Sequence, residues 1–166
     1  MSTVRSSKDA GDLVEHEVIQ RTPELSFVPD STADWHDARA TDPITIGEVS
    51  MRGIVSVGEG VPVEIKGAQR RISNGSRTCR GRYYLKRRAH DRLAEAGGVY
   101  MFVVYDPNLR GSDPILAMMV VPARVVGEFV TVWSPVAGDR SEKAVAKVPW
   151  SRVFDPEIVV EPKIRK

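Results

Sequence analysis

The sequence predicts an α/β fold of the mixed α+β kind, with a central mixed sheet of four to five strands flanked by helices. Three observations predict it. Val99-Tyr100-Met101-Phe102-Val103-Val104-Tyr105 is a continuous apolar run, the pattern of a central strand covered on both faces. Val61-Pro62-Val63-Glu64-Ile65-Lys66 alternates, with Val61, Val63 and Ile65 on one side and Glu64 and Lys66 on the other. Helical periodicity over 8–20, 86–96 and 123–131 is interleaved with such strand patterns. The 166 residues fit a single domain, at about 150 residues per domain.

The elements follow in order. Residues 1–7 are small and polar and are expected to form a disordered tail. Ala10, Leu13, Val14 and Val18 share a face of a helix over Lys8–Gln20, with Ser7 as its N-cap and Pro23 beyond its end. Residues 25–28 read as a short strand stopped by Pro29-Asp30, and 30–43 as an irregular connection. The apolar positions of 44–57, the turn Gly58-Glu59-Gly60 and the run 61–67 predict an antiparallel hairpin. A Gly- and Arg-rich stretch, 68–84, leads into a short strand at Arg82-Tyr83-Tyr84-Leu85. Leu85, Ala89, Leu93 and Ala96 give the next helix its apolar spacing, and Gly97-Gly98 ends it. After the strand 99–105 come a loop to Pro114, a strand 115–121, a helix over 123–131 and a last strand at 144–148. The domain is expected to span 8–156, with 157–166 a polar tail.

Composition excludes several function classes. Lys plus Arg is 24 and Asp plus Glu 22, a net charge of +2, so the chain is neither a polycation nor an acidic tail protein. With a single cysteine, Cys79, it has no intrachain disulfide and no Cys-based zinc site. Apolar runs reach about seven residues, far short of a membrane span. Met1 to Lys8 lacks the pattern of a secretory signal, so a cytoplasmic protein is expected. Neither Gly-rich phosphate loop motif nor a G-x-S-x-G elbow occurs, and no organic cofactor is expected.

Glu64-Ile65-Lys66 is the most informative tripeptide. It sets a carboxylate and an ammonium on one strand face, ~7 Å apart at their Cα atoms. A carboxylate held this way suits a hard divalent cation, and a lysine beside it can orient a water and offset charge on a phosphate. Taken alone, the tripeptide equally fits a surface ion pair, and a second copy, Glu161-Pro162-Lys163, stands in the polar tail. The following residues shift the balance. Lys66 to Arg92 holds ten basic residues and one acid, Asp91, a local charge of +9 in 27 residues. That density is a footprint for a polyanion, and arginine suits bidentate phosphate contact. Arg70, Arg71, Arg77, Arg80, Arg82, Arg87 and Arg88 are candidate phosphate contacts. Tyr83 and Tyr84 interleave with them and could stack on bases. His90 is a candidate phosphate or water contact, or else a packed histidine, whereas His16 and His36 are too scattered for a zinc site.

Val63-Glu64-Ile65-Lys66-Gly67, the Gly/Arg turn Asn74-Gly75-Ser76-Arg77, Arg80-Gly81-Arg82-Tyr83, the helix with His90 and Leu93, and the buried strand 99–105 together resemble the PD-(D/E)xK nuclease superfamily. The similarity is to small archaeal and viral members related to Holliday-junction resolvases and restriction endonucleases. It covers roughly residues 8–122. The resemblance implies a restriction-endonuclease-like core, a Mg²⁺ requirement with Mn²⁺ as substitute, and hydrolysis of DNA, branched DNA included. It implies Glu64 as a metal ligand, Lys66 as the catalytic lysine, the Ile65 carbonyl as a further ligand, and a homodimer where two strands are cut. The family also has an upstream acid. No Pro-Asp dipeptide lies on the preceding strand, and Asp37, Asp42 and Glu48 compete, with Asp37 slightly preferred. A first-helix glutamate is implied as well, Glu15 with Glu17 as rival. The leading expectation is a Mg²⁺-dependent endonuclease. A non-catalytic nucleic-acid-binding module of the same fold and a protein-interaction module are the alternatives.

Overall fold

In the computed structural model, which describes residues 7–45, 56–109, 113–138 and 142–159, the chain opens with helix α1 (Ser7–Arg21). Strands β1 (Leu25–Phe27), β2 (Ala38–Ala40), β3 (Ile44–Thr45), β4 (Ser56–Val57) and β5 (Pro62–Gln69) follow. A small hairpin, β6 (Ile72–Asn74) and β7 (Arg77–Cys79), precedes β8 (Arg82–Lys86) and α2 (Arg87–Glu95). Then come β9 (Val99–Tyr105), β10 (Ile115–Pro122), α3 (Ala123–Phe129), β11 (Ser134–Pro135), β12 (Ala144–Pro149) and a 3₁₀ turn at Trp150–Arg152.

All seven residues of β9 are buried, as its apolar sequence requires. It sits inside a five-stranded sheet ordered β1-β2-β5-β9-β10, parallel to β5 and antiparallel to β10. The sheet is therefore mixed, in keeping with the expected fold class. Its two faces carry two apolar cores. Val14 and Val18 of α1 pack on Val63, Ile65, Met101 and Val103. On the other face Tyr100, Phe102 and Val104 meet α2, α3 and a second sheet, β11-β12-β8. There Tyr83 packs against Phe102 with ring centroids 4.5 Å apart and donates its hydroxyl to the Val103 carbonyl at 3.3 Å.

Three expectations are corrected. The antiparallel partner of β5 is β2, within the stretch expected to be irregular, and not the segment 44–57. Ala38 pairs with Val63 and Arg39 with Pro62. The turn at 58–60 is captured by β2, since Ala40 donates to the Val61 carbonyl at 3.0 Å and Gly60 to the Ala40 carbonyl at 2.7 Å. Ile44–Thr45 and Ser56–Val57 pair with each other in a separate ladder, and 46–55, including Glu48, lie outside the described residues. Alanine is a weak strand former, so Ala38-Arg39-Ala40 carries little local signal although both alanines are buried. Leu13 leaves the predicted apolar face and is exposed, because α1 contacts the sheet through Val14 and Val18, one turn apart. The expected terminal tails 1–7 and 157–166 fall mostly outside the described residues, although Ser7 already belongs to α1.

Two glycines set the distances between layers. A Cβ on Gly67 would lie 3.1 Å from Val14 Cγ1 and 3.2 Å from Tyr105 Cε1, so the bare backbone lets α1 press close to β5. A Cβ on Gly81 would run into the Gln69 carbonyl, to which the Gly81 N–H donates at 3.1 Å. That contact ties the start of β8 to the end of β5.

Candidate active site

Glu64 and Lys66 stand on the β5 face that carries Ala68, where the parallel register sets them beside Tyr100 and Phe102 of β9. The carboxylate and ammonium form an ion pair in this setting, with Glu64 only 8% exposed. They are not a solvated surface pair.

Asp37 joins them from the residue before β2. Its N–H donates to the Val63 carbonyl at 3.0 Å, and its own carbonyl accepts from Val28 at 2.9 Å. Its side-chain Oδ2 accepts the Ile65 N–H at 2.7 Å. The Asp37 main chain is thus held on both sides just before β2 begins, and its carboxylate takes the place of a strand neighbour at Ile65. The Ile65 carbonyl lies on the same edge of β5 as its N–H, since both groups of a strand residue point to one side. A neighbouring strand would otherwise cover that edge. Glu15 of α1, the helix that Gly67 lets lie close to β5, lines a groove with Asp37 and feels the charges of Asp37 and Lys66.

The electrostatics follow from burial and crowding. Burial pushes the Glu64 carboxyl up from 4.5 to about 8; Lys66 opposes this, while the charge of Asp37 and a hydrogen bond to it add to the rise. Burial likewise pushes Glu15 up to about 7, with the Asp37 charge second and Lys66 opposing. For Lys66, burial alone would favour the neutral amine, but the charges of Glu64 and Asp37 outweigh it and hold the ammonium above the ordinary lysine value. Glu64 is thus pushed toward its neutral form beside a lysine that keeps its proton.

The remaining candidates sort clearly. Glu17 is tied to Arg21, with Arg21 Nε donating to Glu17 Oε1 at 2.6 Å, and does not reach the site. Asp42 is an exposed loop residue beyond β2. Of the basic residues, Arg71, Arg77, Arg80 and Arg82 are exposed along the β6–β7 hairpin and β8. Arg70 is half-buried, and its carbonyl accepts the Trp150 indole N–H at 3.0 Å. Arg80 lies over the Trp150 ring at 5.5 Å and Arg87 over Trp133 at 5.8 Å. On α2, Arg88 and Arg92 reach Asp34 at 4.0 and 3.4 Å, and Arg87 reaches Asp91 at 3.8 Å, so part of the local charge is neutralised.

Two candidates are corrected. Tyr83 is fully buried under β9, so it cannot stack on a base; the alternation of β8 turns its neighbour Tyr84 outward instead. His90 is buried between Tyr100 and Trp133, its Nδ1 3.1 Å from the Tyr100 hydroxyl. Burial lowers its pKa, so it is a neutral core histidine out of reach of phosphate. Lys147, opposite Tyr84 on β12, is an exposed cation the sequence did not flag. Its place in β12 was legible, but its pairing with β8 was not.

The site opens on a groove of about 470 Å³ lined by Asp12, Glu15, Phe27, Asp30 and Asp37, among others. His16, which also lines the groove, has its Nε2 2.8 Å from the Gln20 amide, while the donors around Glu64 are oxygens, from Asp37, Glu64, Glu15 and the Ile65 carbonyl. This donor set fits a hard cation such as Mg²⁺ or Mn²⁺ and not a thiophilic one. Among the described residues, no three acidic, imidazole or thiol side chains are already drawn together to hold an ion, and the Lys66 ammonium supplies the positive charge beside Glu64.

Comparison with known proteins agrees with this reading of the fold. A family model described as a PD-(D/E)XK nuclease superfamily domain matches residues 1–155. No curated protein and no solved structure matches. The match covers nearly the whole chain, which belongs to the PD-(D/E)XK nuclease superfamily.

Proposed function

We propose that this member of the superfamily is a Mg²⁺-dependent DNA endonuclease in which Asp37, Glu64 and the Ile65 carbonyl hold the cation, Glu15 assists, and Lys66 serves the reacting water and phosphate. The observation that carries the reading is that Asp37 bonds the Ile65 N–H between Glu64 and Lys66, which are themselves paired, while Glu15 lines one groove with Asp37. A divalent cation bound there supplies positive charge at the scissile phosphate and makes a coordinated water more acidic. Lys66 stays protonated and donates hydrogen bonds, orienting the water and offsetting negative charge as it builds on phosphorus. The water oxygen forms the new bond to phosphorus, one P–O ester bond breaks, and the proton the water gives up is matched, through solvent, by the one that the departing alkoxide takes. Arg71, Arg77, Arg80 and Arg82 hold the DNA backbone, joined by the α2 arginines when phosphate displaces Asp34 and Asp91. A homodimer would present two such sites to the two strands of a duplex.

The test is cleavage of plasmid and branched DNA with Mg²⁺ by wild type beside Lys66→Ala. The reading expects wild-type cleavage and loss of ~10²-fold or more in the variant. Equal cleavage by both, or none by either, overturns it. A second reading, a non-catalytic DNA-binding module, is favoured by the Lys66–Glu64 ion pair, which already neutralises the carboxylate. It expects salt-sensitive DNA binding and no cleavage with any divalent cation.

A further inference from the structure

We infer that the outer face of the β11-β12-β8 sheet is a platform for a single-stranded nucleic-acid segment, with a base stacked on Tyr84 and the adjoining phosphates on Arg82, Lys86 and Lys147. The inference rests on the nuclease reading and narrows its substrate class to DNA that carries a single-stranded arm.

The strand pattern builds this face. β8 alternates exposed and buried residues, so Tyr83 and Leu85 enter the core while Arg82, Tyr84 and Lys86 point away from the central sheet. The antiparallel register places Lys147 directly opposite Tyr84, and Lys147 is exposed too. Directly opposed side chains in such a ladder stand about 5 Å apart at Cβ. Tyr84 is 44% exposed, an open aromatic ring with cations on both sides along its own strand and across it.

Charge distinguishes this face from α2. Among the described residues, Arg82, Lys86 and Lys147 form no ion pair, whereas Arg87, Arg88 and Arg92 are all engaged with Asp91 or Asp34. Cations with no carboxylate to displace bind phosphate without first breaking a contact. The ring selects the form of the polymer. A base inside a duplex has both faces covered by its neighbours, so only an unpaired or terminal base offers a face to Tyr84. A protein partner would need an acidic surface and would have no use for an isolated ring among cations.

The test measures binding in EDTA, so that it does not depend on cleavage. A single strand of about twelve nucleotides with a central 2-aminopurine, and the matching duplex, are titrated with wild type, Tyr84→Ala, Tyr84→Phe and Lys147→Ala. The platform expects Tyr84→Ala to weaken single-strand binding ~5- to 100-fold and to abolish quenching of the 2-aminopurine, with the duplex hardly affected. Tyr84→Phe keeps both, because the ring remains. Lys147→Ala lowers the slope of log K against log[salt] on single strands by about 0.7, and this second variant decides the matter if Tyr84→Ala fails to fold. Unchanged single-strand affinity in Tyr84→Ala, an equal loss on both DNA forms, or an unchanged salt slope in Lys147→Ala overturns the platform. Stacking without Mg²⁺-dependent cleavage keeps the platform and sinks the nuclease; cleavage without stacking does the reverse.

Discussion

Burial decides what Glu64, Lys66 and Glu15 can do. In water Glu64 and Glu15 would be ionised at any pH above 5, but in this cleft they hold protons toward pH 8 and 7. A carboxyl raised on folding contributes most stability below its unfolded value and loses it as the pH rises through the folded value. For these two groups the loss runs from about 4.5 to about 8. A bound cation reverses that penalty because it favours the ionised forms. The melting-temperature rise produced by Mg²⁺ is therefore expected to be larger at pH 8.5 than at pH 6, as measured by differential scanning fluorimetry, and to shrink in Glu64→Gln at both. A shift independent of pH would show that these carboxyls do not bind the ion. Glu15→Gln is expected to weaken the Mg²⁺ response, whereas Glu17→Gln leaves it intact, since Glu17 is committed to Arg21. Isothermal titration with Mg²⁺ separates the two. At this scale the sequence was legible in part. Glu64-Ile65-Lys66 was visible because charges interrupting an apolar strand stand out. Asp37 remained one of three acids, because its hydrogen bond to Ile65 joins residues 28 positions apart.

Elements hold these residues where single side chains could not. The α1–β5 contact depends on Gly67, and a methyl group there meets Val14 and Tyr105. Gly67→Ala is expected to push α1 off the sheet, weakening Mg²⁺ binding through Glu15 and costing about 1–3 kcal/mol, read by chemical denaturation. Gly81→Ala meets backbone at Gln69, which cannot rotate away as a side chain can. Its expected cost is at least as large, and it should detach the start of β8 from β5. The element pattern explains which expectations held. β9, β10, α2 and α3 were legible from periodicity and from Gly97-Gly98, because their packing partners agree with their local preference. β2 was not, since two alanines and an arginine prefer no strand until β1 and β5 flank them. β8 was legible as a strand, but not which of its faces is core. Tyr83 and Tyr84 look alike in sequence, and only the side on which β9 lies makes one core and the other surface.

Across the whole molecule, the basic segment 66–92 is spread over a strand edge, a hairpin, a sheet face and a helix. Its charges act together only through the field they create, and DNA affinity should fall steeply with salt. Replacing both Arg87 and Arg88 with alanine is expected to reduce the salt slope by less than about two counterions, because these side chains trade Asp91 and Asp34 for phosphate. Fluorescence anisotropy across a salt series checks this, and a full loss of about 1.8 would mean the pairs are already broken in solution.

From the sequence alone one can settle the class of fold, the central buried strand, the presence of an acid and a lysine on one strand, and the dense positive charge that follows them. These depend on local periodicity and composition, which neighbouring residues carry together. The tertiary structure alone decided which distant acid faces Glu64, which tyrosine is exposed and that β8 pairs with β12. Each of those choices is a contact between segments far apart in the chain, made by backbone edges and layer geometry that leave no periodic trace in the residues themselves.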